Sequence, residues 1–97
     1  MNQATFYIVL NLRTGNGYEC FGKFMVGNSR QTATAIFNQL KGRKKVNEKS
    51  ILQLDLMESV NGLPVNMQMM TCSLEELSEN CKIITKEVFR HYNMEEI

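Results

Sequence analysis

The stretch that decides the fold is residues 73–92, SLEELSENCKIITKEVFRHY. Its apolar residues recur at steps of three and four, which is the spacing of one stripe along an α-helix. Charged residues fall mostly between these positions and predict an exposed face. A helix of this kind needs an apolar surface to lie on, and most of the remaining chain predicts a sheet that supplies it. The stripe consists of Leu74, Leu77, Cys81, Ile84 and Val88, and the charged face includes Glu79, Lys82, Lys86, Glu87 and Arg90.

The first part of the chain predicts a β-hairpin. Residues 5–12 alternate in polarity, which is typical of a strand with one buried face. Residues 13–17 contain Asn16-Gly17, a pair that accepts the positive φ angles of tight turns, and residues 18–26 predict the returning strand. Gly22 in mid-strand predicts a bulge or the close approach of a helix. We expect the inward face of this strand to carry Cys20, Phe24 and Val26.

A helix and a second hairpin follow. Asn28 is the expected N-cap of this helix, which should end near Lys41 with Gly42 just beyond it. Residues 51–58 and 65–71 predict two more strands, joined by a second Asn-Gly turn. On the last strand we expect Val65, Met67 and Met69 to face inward and Asn66, Gln68 and Met70 to face outward; Ser73 and Glu76 should form the capping box of the final helix.

The predicted order is therefore ββαββα within a single domain, residues 1–97. The two halves, about 5–42 and 50–94, each contain a hairpin and a helix, and we interpret them as a loose internal repeat. The expected fold class is α+β, a four-stranded antiparallel sheet with two helices on one face. This order is also a circular permutation of the ferredoxin-like plan, which hosts many unrelated functions. We expect the final helix to close the core of its own hairpin and to contact the first helix.

Composition narrows the class of protein. The chain has 97 residues, a formal net charge of +1 and an ordinary apolar fraction, which is typical of one globular domain. Its apolar runs are too short to span a bilayer, and its first residues do not resemble a signal peptide. Three cysteines match no disulfide or zinc pattern, and we expect them to be reduced. The expected location is the cytoplasm.

The sheet face without helices is the expected interaction surface. Its predicted residues are too apolar for a face left wholly in water, and such a patch usually marks a contact surface. We therefore expect a small non-enzymatic interaction or binding module that forms a homodimer through its open sheet face. If the second strand had the opposite orientation, Phe21 and Met25 would instead face the helices. The predicted surface comprises Tyr7, Val9, Phe21, Met25, Met57 and Met70.

The alternative function is binding of single-stranded nucleic acid. Residues 1–49 contain eight Lys or Arg against two Glu, whereas residues 50–97 contain three against eight Asp or Glu. A basic loop at 41–49 and aromatic residues on an open sheet resemble the features that bind single strands. No RNA-binding motif is present, and the same basic run is typical of a solvated loop. The basic residues are Lys41, Arg43, Lys44, Lys45 and Lys49.

Catalysis has weaker support. Cys72 precedes a helix N-terminus, where the pKa of a thiol can be lowered. A nucleophile also needs a nearby base, and His91 lies near the far end of the same helix, roughly 30 Å away. The strand–helix junction Gly27-Asn28-Ser29 lacks the glycine pattern of a nucleotide site, so its polar residues are interpreted as helix caps. We expect no catalytic residues, no metal site, no cofactor and no membrane contact.

Overall fold

The computed structural model describes residues 4–44 and 51–93, and its elements follow the predicted order. Two strands, β1 (Ala4–Thr14) and β2 (Gly17–Gly27), precede the helix α1 (Arg30–Asn38). Two more strands, β3 (Leu52–Val60) and β4 (Leu63–Cys72), precede the long helix α2 (Leu74–Asn93). None of the helices within these residues is long and apolar enough to cross a membrane.

The four strands form one antiparallel sheet in the order β2-β1-β3-β4. The first strand of each hairpin is therefore central, and the second strand of each lies at an edge. The predicted permutation of the ferredoxin-like plan is not confirmed, because that plan would place β4 between β2 and β3, whereas β1 lies there. The internal repeat stays a prediction, although both halves have the same element order.

Both helices cover one face of the sheet, as predicted. The core contains Phe6, Ile8, Leu54 and Leu56 from the central strands, Val26 and Met70 from the edge strands, and Ala33, Ile36, Phe37, Leu40 and Ile84 from the helical layer.

Each helix also packs against the hairpin in the other half of the chain. Phe37 lines a crevice together with Met70 of β4, and Val88 lines another together with Phe24 of β2. A salt bridge of 2.8 Å joins Arg30 at the start of α1 to Glu58 of β3. The helix α2 contacts β4 of its own hairpin and α1, as predicted, and it packs against β2 in addition. Each hairpin depends on both helices for its buried face.

Within the described residues, the sheet contains three register shifts, and two of these β-bulges change which side chains face the helices. In β2, Leu10 of β1 pairs with Gly22 and Asn11 pairs with Cys20, so Phe21 is an extra residue. This confirms the bulge predicted beside Gly22. The extra residue reverses the alternation beyond it, because the side-chain period of a strand is two. Cys20 is consequently exposed beside Asn11, and its predicted place on the inward face was wrong.

The second bulge lies in β4. Leu56 of β3 pairs with Gln68 and Met57 pairs with Asn66, so Met67 is the extra residue. The predicted orientation of β4 is correct before this bulge and reversed after it. As a result Met70 faces inward and Met69 faces outward, the opposite of the prediction.

The ends of α1 differ from the predicted ends. Ser29 is the N-cap, and its hydroxyl accepts a hydrogen bond from the amide of Thr32, so the predicted cap Asn28 was one residue too early. The helix ends at Asn38 with Gln39 as its C-cap, before the predicted end at Lys41. The last turn tightens, since the amide of Leu40 donates to the carbonyl of Phe37. Residues 41–43 are therefore free to run toward β4.

The buried stripe of α2 is rotated relative to the predicted stripe. Leu74 is 74% exposed, whereas Asn80 is fully buried and Glu87 is 9% exposed. Glu87 was expected on the charged face, but it accepts a hydrogen bond of 3.2 Å from the Nε2 of Gln39. The apolar periodicity of α2 did not indicate that Asn80 and Glu87 are buried, although both contact residues at the end of α1. The capping box is as predicted: the amide of Ser73 donates to Glu76, and the amide of Glu76 donates to the hydroxyl of Ser73.

Candidate interaction surface

The open face of the sheet consists of rows of residues that pair side by side across the four strands. The middle row is Lys23, Val9, Asp55 and Met69. The row on one side of it is Cys20, Asn11, Gln53 and Thr71, and the row on the other side is Met25, Tyr7, Met57 and Asn66. These twelve positions, with the extra residue Phe21, are called the open face below.

Apolar side chains are exposed at both edges of the open face. Phe21 is 59% exposed and Met25 is 52% exposed on β2, and Met69 is 47% exposed on β4. The central residues Tyr7, Val9 and Met57 are half-buried by their neighbours. Five of the six predicted surface residues therefore lie on this face. The sixth, Met70, was wrong, because it is buried in the core opposite Leu54.

A polar cluster lies at the centre of the open face, between the apolar side chains at its edges. Asp55 is only 8% exposed although no helix covers it. The Nδ2 of Asn11 donates to one carboxylate oxygen at 2.8 Å, and the Nε2 of Gln53 donates to the other at 2.8 Å. The two amides replace water around the carboxylate, so the centre of the face is polar but internally hydrogen-bonded. The sequence places all three residues on the outward side, but only the structure shows that they form one cluster.

The ring of Tyr7 on the open face is not a free stacking platform. The ammonium of Lys23 lies over the ring of Tyr7, 4.7 Å from its centroid. This cation–π contact occupies one face of the ring and screens part of it from solvent. A base that stacked on this side of Tyr7 would first have to displace the lysine.

Both edges of the sheet are protected against pairing with another strand. β2 contains register shifts at Phe21 and at Val26, and bulges of this kind twist an edge away from a partner strand. At the opposite edge, Arg43 forms a bridge with Thr71, in which each amide donates to the other carbonyl at 2.7 Å. The segment after α1 therefore covers part of β4.

The predicted basic loop begins with this covering segment. Lys41, Arg43 and Lys44 are exposed at the β4 edge, and Lys45 and Lys49 lie outside the described residues. The charges of Lys41 and Arg43 lie near Glu76, and the pKa of that carboxyl is lowered mainly by its hydrogen bond with Ser73 and less by these cations. The basic residues are thus three strands away from Phe21 on β2.

Cys72 has the environment of a packed thiol. Burial raises the pKa of Cys72, the Glu76 carboxylate raises it further, and a hydrogen bond with Asn80 offsets part of the rise. Since the thiolate is the reactive form, this environment disfavours nucleophilic attack at neutral pH. His91 lies in the last turn of α2, at the other end of the helix that follows Cys72. Within the described residues, no group of three His, Cys, Asp or Glu side chains is arranged to hold a metal ion.

Comparisons with protein-family models, with curated proteins and with solved structures find no match to this chain.

Proposed function

We propose that this chain is a non-enzymatic interaction module that self-associates by stacking the open faces of two copies. The observation that carries the proposal is the exposure of Phe21, Met25 and Met69 on a sheet face that no described element covers. Apolar patches of this kind are typical of contact surfaces, and methionine adapts well to a second surface. The three free thiols fit a reducing compartment, so we place the module in the cytoplasm.

The size of the open face supports a dimer. Three strand spacings plus one strand width give about 19 Å, and nine residues give about 30 Å, so the face covers roughly 570 Å². Two stacked copies would bury roughly 1,100 Å² in total, which is near the lower limit of specific interfaces. The net charge of +1 would cause little repulsion between copies.

The protected edges also favour stacking over edge-to-edge pairing. An edge partner needs a row of free amides and carbonyls along a regular strand. The bulges of β2 interrupt this row, and Arg43 occupies part of it on β4. The open face has no comparable obstruction, and its central carboxylate is already hydrogen-bonded by Asn11 and Gln53.

The substitution Phe21→Glu tests the proposal. It places two carboxylates in the dimer interface and removes two exposed phenyl rings, so we expect the dimer Kd to rise by roughly 30-fold or more, corresponding to about 2 kcal/mol. Sedimentation velocity over a dilution series, with wild type in parallel, measures this change. Circular dichroism should show an unchanged fold, since Phe21 is an extra, exposed residue of β2.

Leu63→Glu is the matched control. Leu63 is 69% exposed, more than Phe21, but it pairs with Val60 at the start of β4, on the side of the sheet that carries the helices. We expect this variant to dimerise like the wild type. A wild type that stays monomeric at all workable concentrations would refute the proposed function, and so would an equal effect of the two substitutions.

Binding of single-stranded nucleic acid remains the alternative proposal. The cation–π contact of Lys23 with Tyr7 and the position of the basic residues at the far edge both argue against a shared binding track. We expect fluorescence anisotropy of labelled single-stranded oligonucleotides to show no shift at low salt, with wild type and Lys44→Glu indistinguishable. A salt-dependent shift that Lys44→Glu abolishes would instead favour the alternative, because phosphate contacts depend strongly on salt.

A further inference from the structure

We infer that the two copies stack about a two-fold axis parallel to their strands, which places Lys23 of one copy one strand spacing away from Asp55 of the other. This inference rests on the proposed self-association and specifies its geometry. It follows from the positions of opposite charges in the middle row of the open face.

The charges of the open face are few and lie far apart. Among the strands of this face, the middle row carries Lys23 on the edge strand β2 and Asp55 on β3. Val9 of β1 lies between them, so the two charges are two strands apart within one copy, or about 10 Å. Arg13 lies on the same side of the sheet but beyond the open face, near the end of β1, where it pairs with Tyr18.

Two symmetric ways of stacking the sheets predict different contacts. With an axis parallel to the strands, β2 of one copy lies over β4 of the other. Lys23 then lies over Met69 of the second copy, one strand spacing of about 4.8 Å from its Asp55. With an axis along the middle row, every strand lies over its own equivalent. Lys23 then meets Lys23 and Asp55 meets Asp55.

Electrostatics favours the axis parallel to the strands. Facing like charges across an interface costs affinity, whereas opposite charges steer the encounter and determine the relative orientation of the copies. Both axes keep the strands of the two copies aligned, which is usual for two sheets in a sandwich, so the charges decide between them.

Asp55 is suited to accept a lysine from the second copy. Each of its oxygens takes one amide hydrogen bond, from Asn11 and from Gln53, while a carboxylate has about four acceptor positions in all. Within its own copy, the ammonium of Lys23 contacts the ring of Tyr7. Its flexible stem allows the ammonium to turn outward. Stacking would bury the carboxylate further, and a lysine would compensate its charge.

Cross-linking of engineered thiols tests the axis while Lys23 and Asp55 remain in place. Met25 and Asn66 end the row next to the middle one, on opposite edges of the sheet. The parallel axis places Met25 over Asn66 of the second copy. The other axis exchanges the two outer rows and places Met25 over Cys20 instead. A short bismaleimide joins two thiols that lie close together. In the triple variant Met25→Cys/Asn66→Cys/Cys20→Ser, it links the two copies if the axis is parallel to the strands. In Met25→Cys, which keeps the native Cys20, it links them if the axis runs along the middle row.

The expected result is a covalent dimer that forms mainly in the triple variant, with Met25→Cys/Cys20→Ser as the background. More efficient cross-linking of Met25→Cys with native Cys20 would overturn the inference. Equal background cross-linking in all variants would also overturn it if sedimentation shows a dimer. In both cases the proposed function would stand, whereas a monomeric wild type would refute both.

Charge reversal gives a second readout on the same geometry. Lys23→Glu would place a carboxylate near Asp55 of the second copy, so we expect the dimer Kd to rise at least about tenfold. The matched control Arg13→Glu reverses a charge on the same side of the sheet, but beyond the open face and away from Asp55, and we expect a change below about threefold. Equal effects of the two reversals would contradict the inferred contact.

Discussion

Gly42→Ala should lower the free energy of unfolding by about 3 kcal/mol, a large effect for one methyl group. An ideal Cβ at Gly42 would lie near the carbonyl oxygen of Thr71 and 2.6 Å from the terminal methyl of Met70. The methionine can move, but the oxygen belongs to the backbone of β4 and accepts the hydrogen bond of Arg43. The chain must therefore separate from β4 or distort the strand. Chemical denaturation measures the loss, and the melting temperature should fall by roughly 12–24 °C.

Gly15→Ala is the control for this substitution. Gly15 lies in the turn of the first hairpin, and a Cβ there would have no neighbour within 4 Å. We expect a change of less than about 1 kcal/mol, since only the flexibility of the unfolded chain differs. Amide exchange supplies a local readout, because the amides of Thr71 and Arg43 should lose protection in Gly42→Ala alone. Equal denaturation midpoints for the two variants would contradict the steric argument.

The bridge that Gly42 permits is also relevant to the proposed stacking. If the segment separates from β4, that edge strand regains free amides and carbonyls that can pair with another chain. We therefore expect Gly42→Ala to form irregular aggregates on mild heating rather than a defined dimer. Light scattering during a thermal ramp distinguishes this outcome from simple unfolding.

Local signals in the sequence predicted the elements of this fold well. The second turn has positive φ angles at Asn61 (54°) and Gly62 (81°), which is what an Asn-Gly pair predicts. Alternation located all four strands, and periodicity located both helices. These signals depend only on neighbouring residues, so they do not require knowledge of the tertiary structure.

The surface residues were harder to predict because one inserted residue reverses a whole strand. Gly22 signals the first bulge, but the prediction did not apply the resulting reversal: Phe21 and Met25 are exposed as predicted, whereas Cys20 is not on the inward face. Met67 carries no comparable signal, because its side chain does not differ from those of the other strand methionines. Met70 was consequently assigned to the open face in place of Met69. The pairing of β4 with β3 determines which of Met69 and Met70 faces the core, and this pairing depends on residues far away in the sequence.

The sequence also did not predict the buried polar contact beside the segment after α1. Asn80 lies in a charged stretch of α2, where the pattern predicts exposure, and Gly42 resembles an ordinary residue beyond a helix end. Neither residue reveals from the sequence that the chain after α1 returns to the sheet. The contact of Asn80 with Lys41, the residue before Gly42, depends on how α1 and α2 pack together.

Asn80→Ala should lower the free energy of unfolding by about 3 kcal/mol, and the reason is a pair of hydrogen bonds to one backbone position. The amide of Lys41 donates to the Oδ1 of Asn80 at 2.7 Å, and the Nδ2 of Asn80 donates to the carbonyl of Lys41 at 2.8 Å. Asn80 thus pairs with Lys41 as a neighbouring strand would. Alanine removes both partners and leaves a cavity, and each unsatisfied buried group costs about 1–3 kcal/mol.

The same pair of hydrogen bonds positions the segment that covers β4. Lys41 precedes Gly42, and Arg43 forms the bridge with Thr71 directly after it. Loss of Asn80 should therefore expose the amide of Thr71 to exchange, as Gly42→Ala does, although Asn80 lies on another element. Since the two substitutions affect one contact, their costs should not add, and the double variant should lose at least about 1 kcal/mol less than the sum.

Glu79→Ala and Asn80→Asp are the controls for this prediction. Glu79 is the exposed neighbour of Asn80 in α2, and its substitution should change the free energy of unfolding by less than about 0.5 kcal/mol. Asn80→Asp keeps an acceptor for the amide of Lys41 but places a carboxylate against its carbonyl, so we expect a cost at least as large as that of alanine. Urea denaturation of the three variants ranks them. A cost below about 1 kcal/mol for Asn80→Ala, or additive costs with Gly42→Ala, would show that Asn80 does not position the covering segment.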